Sequence, residues 1–392
     1  KQKTAYEMLR SLVGSEMCIR DSTSYYTIQF INPSIRQVII DKVFSSLNWG
    51  GAFLFFEKVR GPDARFQDIA TGLYNEFKTK APVTGSVVLN NTVVTSFGDG
   101  LLRFFSQEQE PFEVKAHKGV VLTMSSNGEF VFTGGDDGRF LKISSDGQIN
   151  EIYNFGSQWV DCVASTENYF ACSSGKKAYL WVNDDSKPLI MDNSSTVGGL
   201  SFDLDGNKLA VSSYGGVTVW QRGDRRWKSS RFVWKGSHGK VTFSPDGKYL
   251  VSAMQENEVH GWRIRDKIDL AMAGYPAKIK SFTWAGNTPF LVTSGASEAI
   301  CWPFDGKEGP LGRKPTCVAN GGKQNATFVE SLPQENAVFA GFQDGSVILS
   351  EIDETKKSYL IRNATGSEVT TISVSNDKSY ICLLYTSDAA DE

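Results

Sequence analysis

A tryptophan returns at a nearly fixed interval through the middle of this chain: Trp181, Trp220, Trp262 and Trp302 follow one another at steps of 39, 42 and 40 residues. Each closes the same succession of textures: apolar strand, turn, apolar strand, small or polar turn, and a third strand ending in the indole. Residues 202–220 (FDLDGNKLAVSSYGGVTVW) and 243–262 (FSPDGKYLVSAMQENEVHGW) are two copies. A period of this length with strands inside it points to a β-propeller.

Weaker copies have lost the tryptophan and kept the turns, as in 93–106 (VVTSFGDGLLRFFS), 131–144 (VFTGGDDGRFLKIS) and 337–352 (AVFAGFQDGSVILSEI). Their Asp-Gly pairs supply the positive φ of a tight hairpin between the second and third strands. First strands are expected near Val87, Val121, Cys162, Leu200, Val241, Phe282, Phe328 and Thr370. The expected fold is therefore all-β, with seven complete blades and an eighth block that stops after about one and a half strands. The phrases SPDGKYL, VTVW and GGDDG resemble those of the WD40 repeat family, over roughly Pro82 to Ile381. That resemblance implies a propeller whose loops bind other proteins; it specifies no partner, because such propellers host many unrelated functions.

The two ends follow no strand or helix logic. CIRDS can be encoded as TGT ATA AGA GAC AG, and CLLYT by TGT CTC TTA TAC ACA preceded by one C; the two strings are reverse complements through their shared stretch. Both resemble a translated transposase adapter, and KQKTAYE resembles a translated flow-cell primer. Residues 1–22 and 382–392 are accordingly set aside from fold reasoning. The natural termini, and any signal peptide or closing strand, would then lie outside the sequence. Cys382 to Ser387 remains available as a substitute strand for the truncated eighth block.

Residues 23–80 have a different grammar. Tyr25 to Phe30 reads as a strand, and Asn32-Pro33-Ser34 starts an amphipathic helix through Ile35, Val38, Ile39, Val43 and Phe44. Leu47 to Gly51 (LNWGG) reads as a turn into a second strand, Ala52 to Lys58, and a helix to about Phe77. This βαβα order resembles the later half of a class I S-adenosylmethionine-dependent methyltransferase. Within that class, YYTIQFINPSIRQVIIDKVFSSLNWGGAFLFFEKV resembles the carboxy-S-adenosylmethionine synthase family of tRNA wobble-uridine modification. The glycine-rich loop and the ribose-binding acidic residue of that family would fall upstream of Tyr25, where only adapter-like sequence stands. A βαβα piece of this size cannot complete a cofactor crevice, so no cofactor and no transferase activity are expected. Residues 81–381 are left as the propeller.

Without the adapter-like ends, four basic and six acidic residues drop out of 41 and 44, leaving 37 and 38. Near neutrality gives no electrostatic case for nucleic acid or an anionic membrane. The one basic run, Arg222 to Arg231 (RGDRRWKSSR), reads as a charged outer-strand edge that discourages edge pairing. No apolar stretch approaches the ~20 residues of a membrane span. Cys162, Cys172, Cys301 and Cys317 show no metal-ligand spacing and read as buried free thiols of a reducing, cytoplasmic compartment.

Only three histidines are present. His117 (AHKG) and His238 (GSHGK) precede first strands, and in the repeat family this position bonds to a serine, threonine or aspartate of the same blade. His260 falls in the third strand of block five. No Ser-His-Asp order, HExxH or phosphate loop supports an active site, and clustered carboxylates for a hydrolase or metal binder are lacking. The period of the tryptophans makes them wedge fillers between blades rather than a ligand-stacking comb.

Block five departs from the others in carrying Met254-Gln255-Glu256-Asn257-Glu258 between its second and third strands. In a propeller that turn shares a rim with the loops entering blades five and six, Gly236 to Gly239 and Gly274 to Lys278. Together they would form a docking patch for a protein or peptide, with Tyr275 as aromatic anchor and Gln255, Glu256, Asn257, His238 and Lys278 as polar contacts. The alternative for the turn is plain solvation. The expected function is a monomeric, non-catalytic interaction scaffold; the alternative is a methyltransferase remnant fused to a propeller, which would bind S-adenosylmethionine.

Overall fold

The computed structural model describes residues 19–25, 47–56 and 82–385, apart from 107–109, 184–186, 225, 287–288, 354–356, 376–377 and 379–380. The chain divides into two compact units, Lys1–Phe77 and Lys78–Glu392. In the first, β1 (Ile19–Tyr25) pairs in parallel with β2 (Leu47–Phe56). Parallel neighbours need a long crossover, which accords with the expected alternating order. Two details differ from the sequence reading. The first strand begins at Ile19, inside the adapter-like stretch, because ladder pairing asks only for backbone groups. The expected LNWGG turn is taken into β2: Ile19 faces Leu47 and Asp21 faces Ala52, so Asn48 to Gly51 stand as an irregularity opposite Arg20. The two expected helices, and residues 26–30 of the expected first strand, lie outside the described residues.

The second unit is all-β in its described residues. Block one is β3 (Val83–Leu89), β4 (Thr92–Phe97), β5 (Leu101–Phe105) and β6 (Phe112–Lys115). Block two is β7 (Val121–Ser126), β8 (Val131–Gly135), β9 (Arg139–Ile143) and β10 (Ile149–Asn154). Block three is β11 (Cys162–Ser165), β12 (Tyr169–Ser174), β13 (Lys177–Val182) and β14 (Leu189–Asp192). Each is a four-stranded antiparallel meander in chain order. Blocks four and five run together in one six-stranded sheet: β15 (Val197–Phe202), β16 (Lys208–Arg222), β17 (Trp227–Phe243), β18 (Tyr249–Met254), β19 (Val259–Arg263) and β20 (Asp269–Met272). The first half of β17 pairs with β16 and its second half with β18, so one strand serves both blocks. Two further meanders follow, β21 (Phe282–Ala285) to β24 (Thr316–Val318) through β22 (Phe290–Thr293) and β23 (Ala299–Pro303), then β25 (Ala326–Ser331) to β28 (Ser358–Arg362) through β26 (Ala337–Phe342) and β27 (Val347–Glu351). The last sheet has two strands, β29 (Val369–Val374) and β30 (Ile381–Tyr385). All eight expected first-strand positions fall in strands, and Cys382 to Tyr385 does act as a strand, paired with β29.

Successive blocks are joined by apolar wedges. Leu89 and Leu102 of block one meet Val121 and Leu141 of block two; Phe132 and Phe140 of block two meet Phe170 and Trp181 of block three. The same arrangement recurs at every following junction up to Phe339 and Val347 against Ile372 and Val374. The ring closes with first strand beside first strand, as at the other joints, but among the described residues no buried apolar cluster spans this one. Here β29 lies beside β3, and Ser86 exchanges hydrogen bonds with the hydroxyls of Thr371, at 2.7 Å, and Ser373. Trp181 and Trp262 are almost fully buried, while Trp220 and Trp302 are half-buried against their own junction clusters. Core packing of the periodic indoles is thus what the wedge geometry produces.

The Asp-Gly turns behave as their chemistry dictates. Gly138 has φ of 76°, and a Cβ placed there would sit 2.2 Å from the carbonyl oxygen of Gly156. Only glycine satisfies both the left-handed conformation and the close passage of the next loop.

Candidate functional site

The turn between β18 and β19 comprises Gln255 to Glu258, since Met254 closes β18 and is buried. Asn257 takes the left-handed conformation at φ 56°, which an asparagine tolerates better than most residues. Gly236 to Gly239, expected as the loop entering block five, are instead part of β17, and this stretch of strand braces the turn from two sides. Gln255 N donates to Ser237 O at 3.0 Å, and Ser237 N donates to a Glu256 carboxylate oxygen at 3.1 Å. Glu256 is therefore a positioning group, while the Gln255 side chain stands exposed and that of Asn257 half-exposed.

His238 lies beneath, not on, this surface. It is buried, with Nδ1 2.7 Å from Ser252 Oγ and Nε2 3.2 Å from Trp234 O. Burial lowers its pKa, against the weaker opposing pull of the Trp234 bond and Glu256. His117 repeats the arrangement in block two, with Nδ1 2.9 Å from Asp137 and Nε2 2.8 Å from Thr133 Oγ1. Both histidines bond to a hydroxyl of their own block, as the repeat-family reading expects; His117 does so from a loop and His238 from within β17.

Tyr275 also turns inward. Its hydroxyl accepts from Trp302 Nε1 at 2.7 Å and lies 2.7 Å from Thr293 Oγ1, and its ring packs on the wedge between blocks five and six. Burial pushes its pKa up to about 12, although both bonds oppose the rise. Lys278, three residues on, is exposed. The structure thus brings Ser237, Gln255 and Glu256 together, and shows Tyr275 and His238 as supports of the rim. The basic run 222–231 spans the outer hairpin of block four, where Arg222 pairs with Trp227 and most side chains are exposed.

Chemistry of other kinds finds little footing. Among the described residues no three His, Cys, Asp or Glu side chains stand close enough to hold a metal ion. Burial pushes the thiols of Cys172 and Cys301 far up and that of Cys162 to about 11, so none is an activated nucleophile. Cys162, Cys172, Cys301 and Cys317 all lie in strands, the first three as free thiols. No described helix is long and apolar enough to cross a membrane.

One surface residue was missed by the sequence reading. Trp159 is 58% exposed on the loop entering block three. It lies 22 residues before Trp181, off the period, and that offset was the available signal.

Comparisons with known proteins find two different likenesses, one in the repeat region and one in a short N-terminal region. Residues 109–141 match the WD domain, G-beta repeat family. Among solved structures, the computationally designed Ika8 protein superposes with a TM-score of 0.61 at 18% identity, over 78% of this chain and 96% of that one, a likeness of fold alone. A stretch of 70 residues is 37% identical to the carboxy-S-adenosyl-L-methionine synthase of Staphylococcus epidermidis, covering 18% of this chain and 31% of that protein. The Escherichia coli O1:K1 protein of the same name is 38% identical over 53 residues, 14% of this chain and 22% of its own length. The chain therefore spans less than a third of these synthases. With its antiparallel meanders wedged around a ring and a WD repeat running from β6 of block one into β9 of block two, the repeat region is a WD40-type β-propeller.

Proposed function

We propose that the propeller is a non-catalytic scaffold that holds a protein or peptide partner on the rim formed by Gly236–Gly239, Gln255–Glu258 and Gly274–Lys278. The mutual bracing of Ser237 and Glu256 carries this reading. It fixes a polar turn that the fold does not require, so its exposed groups meet a partner with little ordering left to do. In this reading Gln255, Asn257 and Lys278 make the contacts, Glu256 positions the turn, and His238 and Tyr275 hold the rim from beneath. The free thiols support a reducing, cytoplasmic setting, with the propeller acting as a monomer.

Cross-linked capture from lysate compares the parent with Gln255→Ala/Lys278→Ala. Both residues are exposed, so the unfolding free energy from urea titration is expected to hold within about 0.5 kcal/mol, while partner recovery drops at least tenfold. Undiminished recovery would remove the rim from consideration.

For the first unit the synthase resemblance covers too little of the relatives to supply a cofactor crevice. The unit is read as an inactive fragment. Calorimetric titration with S-adenosylmethionine is expected to give no saturable heat; a saturating isotherm would restore the fusion-enzyme alternative.

A further inference from the structure

A cleft opens two blocks away, where the loop entering block three meets the turn between β12 and β13. The loop entering block three supplies Gln158, Trp159 and Asp161, and the turn between β12 and β13 supplies Lys176 and Lys177, with Tyr179 behind them. Together they line a cleft of about 510 Å³.

Its two charge types are unequal in their need of a partner. Lys176 and Lys177 are exposed, Lys177 standing 3.6 Å from Asp192, and water solvates both. Asp161 is half-buried, and its carboxylate accepts no hydrogen bond among the described residues; only its backbone N–H is engaged, with Ser173 O at 3.2 Å. Burial alone raises its pKa. A carboxylate withdrawn from water without donors gains more from an incoming cation than an exposed lysine gains from an incoming anion. Trp159 adds an exposed ring face, which attracts a guanidinium. The lysines at the same cleft repel a run of basic residues and favour a carboxylate next to a single one.

We propose that this cleft binds a peptide segment in which one arginine is followed by an acidic residue, the guanidinium lying on Trp159 and donating to Asp161 while the acidic neighbour faces Lys176 and Lys177. The proposal rests on the scaffold reading above and names a specific ligand chemistry for a different part of the ring.

The probe is the blocked peptide acetyl-Ala-Arg-Glu-Ala-amide, titrated into the full chain by calorimetry. Saturable binding is expected, weakened at least tenfold by Asp161→Asn, by Trp159→Ala, and by an otherwise identical peptide carrying Gln in place of Arg. Gln in place of the peptide Glu should weaken it about threefold, the scale of a solvent-exposed ion pair. Unchanged urea midpoints for both variants show that the fold is kept. No saturation, or equal affinity for the Arg and Gln peptides, overturns the proposal, as does binding that survives Asp161→Asn. Partner capture is read separately. If it still depends on Gln255 and Lys278 when the peptide does not bind, this cleft fails and the rim reading stands; if the peptide binds as described and capture ignores Gln255 and Lys278, the rim fails and the cleft stands.

Discussion

Between pH 6.5 and 4 the propeller is expected to lose about 3 kcal/mol of folding stability through one imidazole, His260. This residue sits in β19, fully buried, stacked 4.0 Å from the Trp234 ring and edge-on to that of Trp262 at 4.7 Å. Neither ring nitrogen has a hydrogen-bond partner. Burial lowers its pKa from 6.5 to about 4, with Asp269 opposing and His238 assisting. The folded state therefore holds the neutral form where the unfolded chain is already protonated. Stability is complete above the unfolded pKa and falls as pH drops through 6.5 toward 4. Burial pushes His238 and His117 in the same direction, so their contributions share the sign. Urea titrations across this window measure the slope. His260→Phe keeps the stack on Trp234 and removes two unsatisfied nitrogens. It should flatten most of that slope and raise stability at pH 7 by about 1–2 kcal/mol. An undiminished slope in the variant would assign the acid sensitivity elsewhere.

Trp181→Ala is expected to cost about 3–5 kcal/mol, the largest single loss in the repeat region. Its indole is 1% exposed and is ringed by Phe140 at 5.3 Å, Phe170 at 6.0 Å, Tyr153 at 6.0 Å and Tyr179 at 6.3 Å. Four rings from two adjacent blocks cannot collapse into the void without leaving their own strands. Thermal unfolding, or the urea midpoint, reads the loss directly. The indole N–H has no partner, so Trp181→Phe gives up area but no hydrogen bond and should cost well under half as much. A loss below about 1 kcal/mol for Trp181→Ala would mean that the wedge between blocks two and three does not hold the ring.

What the sequence revealed was what repeats. Tryptophan spacing and Asp-Gly turns recur once per block, so eight first strands could be placed from their texture. What it concealed depends on contacts between distant residues. Tyr275 follows a glycine in a polar loop, which reads as exposed, but its hydroxyl partners lie 18 and 27 residues further on, in β22 and β23. The bracing of Glu256 by Ser237 likewise joins residues 19 apart that share no motif. The merging of blocks four and five was also hidden, because Gly236-Ser237 reads as a turn pair opening a loop, whereas β17 runs on through it with Gly236 at φ 109°. In the first unit, LNWGG has the residues of a turn and became an irregularity in a parallel ladder, a choice set by the partner strand rather than by local propensity.

Among the described residues seven joints of this ring carry a buried apolar cluster, whereas the eighth is joined through hydroxyls on β3 and β29, a kind of pair that Ser125 and Ser165 also make beside an apolar wedge. Hydrophobic attraction fades on cooling, so chilling slackens the seven and spares the one. The joint with least grease is therefore a seam of distinct temperature character, and warmth, which tightens its neighbours, does nothing to tighten it.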